Sequence, residues 1–140
     1  MIKIQNIDHV VLRTSNVRAM TFFYRDVLGC TIERSLPSEI GLTQLRAGEA
    51  LIDLVDTDSQ MGMAGGKAPE RSGHNLDHFC LQVAPITEPE LLNWLQQHGI
   101  AAGPFESRYG ATGFGPSIYL SDPDGNTIEL RIAGTAAHSP

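Results

Sequence analysis

The sequence predicts an α+β fold in which one pattern, a strand, a helix and three strands, occurs twice. Three observations predict it. The segment Ile7-Asp8-His9-Val10-Val11-Leu12 returns as Leu76-Asp77-His78-Phe79-Cys80-Leu81. The segment Ile52-Asp53-Leu54-Val55 is echoed by Ile128-Glu129-Leu130-Arg131. Between each opening and its closing echo lies a helical period, followed by short β-rich segments bounded by Gly and Pro.

The first module spans about residues 4–56. Asn6 to Thr14 is rich in β-branched residues and reads as a strand. Ser15 or Asn16 can then cap a helix whose Val17, Met20, Phe23, Val27 and Leu28 recur at three- and four-residue steps. Gly29 is placed to end it in a left-handed conformation. Thr31 to Leu36, Ile40 to Arg46 and Ala50 to Val55, punctuated by Pro37 and Gly48, read as an antiparallel meander. Residues 57–75 have no clear period and read as the connection.

The second module spans about residues 76–133. It opens with a strand over Leu76 to Val83. Thr87 and Glu90 have capping-box spacing ahead of a helix carrying Leu91, Leu92, Trp94 and Leu95, and Gly99 ends it. Strands are expected at Ala101 to Glu106, Ser117 to Ser121 and Thr127 to Ile132, the last two joined by the turn Asp122-Pro123-Asp124-Gly125-Asn126. Pro104 to Pro116, with Arg108, Tyr109 and Phe114, reads as a substrate loop or lid, or simply as a wide turn. Residues 134–140 read as a frayed tail.

Bulk composition narrows the function. A chain of 140 residues with 41% hydrophobic content can bury a core without staples. A net charge of −6, spread along the chain, excludes a basic surface for nucleic acid or an anionic membrane. No apolar run approaches the roughly 20 residues that span a bilayer, and no leader is visible, so a cytoplasmic protein is expected. Cys30 and Cys80 are too few for a disulfide framework and read as reduced, mostly buried thiols.

Side chains alternate across a strand. His9, Val11 and Arg13 therefore share one face of the first strand, and His78, Cys80 and Gln82 share one face of its echo. Apolar neighbours flank His9, Asp53, His78 and Glu129, which places all four on largely buried strands. If the halves pair about a pseudo-two-fold axis, two imidazoles and two carboxylates converge. Buried together they are unstable unless a cation sits between them, and this donor set suits a divalent metal. Each residue also has a plainer reading. A lone histidine near a strand start is more often structural, Asp8 and Asp77 could be turn or cap residues, Asp53 could pair with an arginine, and Glu129 could be an edge charge. His74, four residues before His78, competes as a ligand only if that stretch is helical. His98 and His138 read as surface residues. Arg13 and Arg131, on inward faces, are candidates for an anionic part of a substrate, or else strand-end charges in solvent.

The motifs together resemble the vicinal oxygen chelate superfamily, which includes glyoxalase I, extradiol dioxygenases, and the fosfomycin- and bleomycin-resistance proteins. They are Ile7-Asp8-His9, Phe23-Tyr24-Arg25-Asp26-Val27-Leu28-Gly29, Leu76-Asp77-His78 and the run from Tyr119 to Glu129. The resemblance spans Ile4 to Ile132 and looks nearest to small glyoxalase I-like proteins. It implies two βαβββ modules forming a single curled sheet or barrel around a metal cleft, and a homodimer. It also implies a small-molecule substrate that chelates the ion through adjacent oxygens.

Carried over residue by residue, the resemblance implies metal ligands at His9, His78 and Glu129, with Asp53 where glyoxalase I normally has glutamate. The ion would be Zn, Ni, Co, Mn or Fe. In the lyase or isomerase reading Glu129, then Asp53, serves as the base; apart from the resemblance, Arg108 in the candidate loop joins Arg13 and Arg131 as a candidate for meeting the substrate. An extradiol Fe(II) dioxygenase is the alternative. Tyr119 matches that signature's tyrosine, but Gly110, Ala111 and Thr112 stand where it has a histidine. A non-catalytic binding or resistance protein is the third reading.

Overall fold

A computed structural model describes residues 1–134 of the chain. Its contacts divide into two compact units, Met1–Arg71 and a second beginning at Ser72. The first unit holds β1 (His9–Thr14), α1 (Val17–Phe22), a π-helical turn (Phe23–Val27), β2 (Thr31–Ser35), β3 (Leu42–Ala47), β4 (Ala50–Asp56) and α2 (Gln60–Met63). The second holds β5 (His78–Val83), α3 (Glu88–Gln97), β6 (Glu106–Gly110), β7 (Gly113–Ser121) and β8 (Thr127–Ile132).

The repeated pattern is present in both units as a four-stranded sheet. Strand order is β1-β4-β3-β2 in the first and β5-β8-β7-β6 in the second. In each sheet the opening strand pairs in parallel with the last, and the remaining pairs are antiparallel. The architecture is thus α+β with two βαβββ modules, built as two sheets rather than one closed barrel of hydrogen-bonded strands among the described residues. No described helix is long and apolar enough to cross a membrane.

Strand periodicity sorts the side chains. On β4, Ile52 and Leu54 are buried, and the buried Met20, Phe23 and Tyr24 belong to the helical segment that follows β1. On β8, Ile128 and Leu130 are buried, as are Ile118 of β7 and Leu91 and Leu95 of α3. The first helix does not hold one α-helical period. From Phe23 it widens to a π turn, with the Leu28 N–H donating to the Phe23 carbonyl and the Cys30 N–H to the Tyr24 carbonyl. Phe23, Tyr24 and Val27 are buried along it. Gly29 then takes φ 80°, as a left-handed terminator requires.

Several expectations are corrected. β1 begins at His9 rather than Asn6, because pairing with β4 starts at the His9–Leu51 rung. The connection contains α2, a single turn capped by the Ser59 hydroxyl, which accepts from the Gly62 N–H. The strand expected at Ala101 to Glu106 reduces to one bridge, Ala102 to Leu120, since Pro104 lacks the N–H a ladder needs. The loop expected over Pro104 to Pro116 is instead largely the β6–β7 hairpin, with Gly110 paired to Gly113 across the turn at Ala111 and Thr112. Cys30 is buried, but Cys80 is exposed, because it lies on the same open face as His78. His74 lies in irregular chain, while His98 is half-buried against Trp94, with ring centroids 4.2 Å apart. His138 and the expected tail, Gly134 apart, lie outside the described residues.

The capping box at α3 is complete. The Glu90 N–H donates to the Thr87 hydroxyl, and the Thr87 N–H donates to the Glu90 carboxylate. Substituting Thr87→Ala removes the hydroxyl arm and is expected to cost about 1 kcal/mol. The measurement is a urea unfolding midpoint that falls at unchanged slope.

Candidate metal centre

Parallel pairing fixes which residues can meet. In the first unit the rungs are His9 with Leu51, Val11 with Asp53, and Arg13 with Val55. In the second they are His78 with Thr127, Cys80 with Glu129, and Gln82 with Arg131. Side chains on one rung share a face, so each histidine lies on the same face as a carboxylate one side-chain step, about 7 Å of strand, farther along. The structure therefore builds one histidine–carboxylate pair into each unit. Among the described residues, no three His, Cys, Asp or Glu side chains stand together as a ready-made metal cluster.

Each histidine is held by the aspartate before it. His9 Nδ1 lies 2.6 Å from Asp8 Oδ1, and His78 Nδ1 lies 2.7 Å from Asp77 Oδ2. An ionised carboxylate only accepts hydrogen bonds, so Nδ1 carries the proton and Nε2 is left free. The repeated Asp-His dipeptide thus has a physical role in both units. A carboxylate on Nδ1 fixes the orientation of the imidazole and makes Nε2 more basic, which suits a ligand to a metal ion.

At His78 that free Nε2 lies 3.2 Å from Glu129 Oε1. A lone pair facing a carboxylate oxygen at that distance is repulsive unless a proton or a cation lies between them. Glu129 is 7% exposed, so solvent does little to screen it. At His9 the Asp8 hydrogen bond is the largest influence and holds the imidazolium above its ordinary pKa. Desolvation opposes this, and the Asp53 charge adds to it.

Asp53 is 3% exposed. Its Oδ2 accepts from Gln44 Nε2 at 2.9 Å, while its Oδ1 is buried without a partner. A buried carboxylate oxygen left bare costs free energy. A cation would relieve that cost, and the residues present fit a divalent ion of mixed N and O preference. Sequence reading missed Gln44. The signal was there: the two-residue turn at Gly48 and Glu49 sets the β3–β4 register and pairs Gln44 with Asp53.

Tyr119 is the counterpart of Gln44, on the same rung as Glu129. Its ring meets the His78 ring edge-on at 5.3 Å, and the Arg108 guanidinium lies 4.3 Å from its centroid. Burial raises the phenol pKa, and the Glu129 charge raises it further, against the opposing charge of Arg108. The phenol is therefore protonated at neutral pH.

The three arginines are placed differently from one another. Arg131 is 5% exposed and donates to the carbonyls of Arg108 and Gly113. Gly110 and Gly115 make room for it, since a Cβ at either would come within 3.0 Å of the guanidinium. Arg13 donates to the carbonyls of Gly62, Gly66 and Lys67, and so ties the connection to the His9 face. Arg108 donates to the Ser117 carbonyl and hydroxyl while stacking on Tyr119.

Comparison with known proteins agrees with this geometry. Residues 6–130 match the family model of the Glyoxalase/Bleomycin resistance protein/Dioxygenase superfamily, and the chain belongs to that superfamily. Among curated proteins, virulence protein STM3117 of Salmonella typhimurium is 33% identical over 129 residues, covering 91% of this chain and 83% of that protein. Its crystal structure superposes with a TM-score of 0.70 over 94% of this chain and 98% of that one, at 28% identity. Biphenyl-2,3-diol 1,2-dioxygenase 3 of Rhodococcus globerulus is 30% identical over 89% of this chain, which spans 61% of that enzyme's length. The crystal structure of lactoylglutathione lyase from Agrobacterium tumefaciens has a TM-score of 0.65, at 25% identity over 91% of this chain and 93% of that one.

The Asp8–His9 pair gives a pH prediction. Because the folded pKa of His9 is raised, its contribution to stability is complete below the ordinary value near 6.5. That contribution is lost as pH rises through the raised value. Titration of the His9 ring resonances by NMR is expected to show a midpoint above 6.5, and Asp8→Asn is expected to lower it.

Proposed function

We propose that this chain is a divalent-metal-dependent enzyme of glyoxalase I-like type, a lyase or isomerase acting on a small substrate with two adjacent oxygens. His9, Asp53, His78 and Glu129 are its metal ligands in this reading, and the active protein is a homodimer. One observation carries the proposal. In both units an aspartate fixes a histidine so that its free nitrogen shares a face with a buried carboxylate; Asp53 Oδ1 is left without a partner, and Glu129 Oε1 faces the His78 nitrogen at 3.2 Å.

When bound, the ion would act as a Lewis acid on the vicinal oxygens. The chain's own residues supply the rest. Glu129, buried and one methylene longer than Asp53, takes a proton from the carbon beside a carbonyl and returns it to the neighbouring carbon. Asp53 stands second for that role. The Tyr119 phenol is protonated and donates to the substrate oxygen on which negative charge develops. Arg108, beside Tyr119, brings positive charge to the same face, and Arg13 and Arg131 add theirs from the next rung.

Tyr119 also supports a second reading, an extradiol-type Fe(II) dioxygenase. The tyrosine packs edge-on against His78, and one relative carries that activity in its name. Two histidines and a carboxylate with open positions suit Fe(II) and dioxygen.

Metal analysis of untagged protein tests the proposal. One ion per active site is expected, and His78→Ala is expected to abolish uptake. With metal loaded, turnover of a hemithioacetal supports the lyase, while oxygen consumption with a catechol supports the dioxygenase. No stoichiometric metal after supplementation would overturn both and leave a binding protein.

A further inference from the structure

Resting on the metal reading above, we infer that Gln44, braced by Arg34, is a positioning residue that makes the short Asp53 side chain serve as the fourth ligand. Gln44 lies between two groups. Its amide nitrogen donates to Asp53 Oδ2 at 2.9 Å, and its amide oxygen accepts from Arg34 Nε. An amide braced at both ends is held in one orientation, so its N–H stays on one carboxylate oxygen. The other oxygen, Oδ1, is left buried and unpartnered. The result is a carboxylate with one oxygen committed and one presented, as a ligand binding through a single oxygen requires.

The strand irregularity at β2 shows how the brace is built. β2 and β3 pair Ile32 with Leu45, but then Arg34 with Gln44, so a bulge shifts the register at Glu33. Without that extra residue, Glu33 would stand opposite Gln44. A carboxylate there would compete for the amide N–H and would add negative charge near Asp53. The bulge instead brings a guanidinium, which can only donate, and so directs the amide oxygen toward Arg34 and the N–H toward Asp53. Glu33 is turned to Arg46, 3.2 Å away.

The second unit has the same chain of contacts in other residues. Arg108 lies against Tyr119, and Tyr119 shares a rung with Glu129. In both units an arginine on the outer hairpin braces a polar residue, and that residue faces the carboxylate. In the first unit the brace ends in an amide hydrogen bond, and in the second in a phenol.

Metal affinity, read by competition with a chromophoric chelator, tests the inference. Gln44→Leu is expected to weaken affinity about 10- to 100-fold and to have little further effect in an Asp53→Ala background. Arg34→Ala is expected to give a smaller loss in the same direction. Gln44→Glu, close in shape but unable to donate when ionised, is expected to behave like Gln44→Leu, which separates the hydrogen bond from packing. If native protein takes up metal and Gln44→Leu binds it equally well, the inference fails while the metal reading stands. An equal loss in the Asp53→Ala background would also overturn it, since Gln44 would then act through something other than Asp53. Absence of metal from the native protein would overturn both.

Discussion

A carboxylate on an interior strand has to find its partners on the two strands beside it. Asp53 lies on β4, between β1 and β3, and Glu129 lies on β8, between β5 and β7. Neither can reach out to water, since both are nearly buried. The parallel neighbour answers with histidine in each unit, and the antiparallel neighbour answers with Gln44 or Tyr119. The remaining features of the site follow from that enclosure. The histidines need an aspartate behind them to fix which nitrogen faces inward, and the polar partners need an arginine behind them to fix which way they point.

The two units solve one problem with different residues. The rung beyond the carboxylate carries an arginine in both, but from β1 in the first unit and from β8 in the second. Each guanidinium donates from its terminal nitrogens to main-chain carbonyls of a glycine-containing segment. Such bonds between a charged donor and a neutral acceptor contribute about 1.5–3 kcal/mol each, and they leave the positive charge itself uncancelled. The arginines therefore act twice, as ties for the chain around the face and as fixed positive charge beside the carboxylates. This also explains the glycines near them better than turn geometry does. At Gly65, Gly110 and Gly115 a side chain would press on a guanidinium.

Most of the frame was legible in the sequence. The repeated Asp-His dipeptides and the echoed carboxylate segments located the strands, and alternation put His9 with Val11 and Arg13 on the correct face. The turn at residues 122–126 was legible because Asp122 can accept from the Asp124 and Asn126 N–H groups at once, as it does. What stayed hidden depends on cross-strand register. Gln44 has no marking in one dimension, and only the two-residue turn places it opposite Asp53. The bulge at Glu33 leaves no clear trace in composition, so nothing in the sequence marks Arg34. Glycines in the β6–β7 segment suggest a loop or a wide turn, whereas Gly110 and Gly115 make room for Arg131 in a paired hairpin. The π turn was invisible because a stripe at three- and four-residue spacing fits an α-helix equally well.

The aspartate behind each histidine sets a compromise that bears on when the site can work. Hydrogen bonding to Nδ1 makes Nε2 more basic, which favours a metal and a proton alike. At His9 the Asp8 hydrogen bond does most to raise the affinity for a proton; desolvation lowers it, and the Asp53 charge raises it again. A cation held by that nitrogen would have to displace the proton, so uptake at the His9 end would weaken as pH falls. At His78 the competition takes another form, because Glu129 stands within 3.2 Å of the same nitrogen. The imidazole lone pair and the carboxylate oxygen repel each other across that gap, and a cation held by both would relieve the repulsion. The short contact that makes the second pair unfavourable when bare is thus the feature that would favour a cation there.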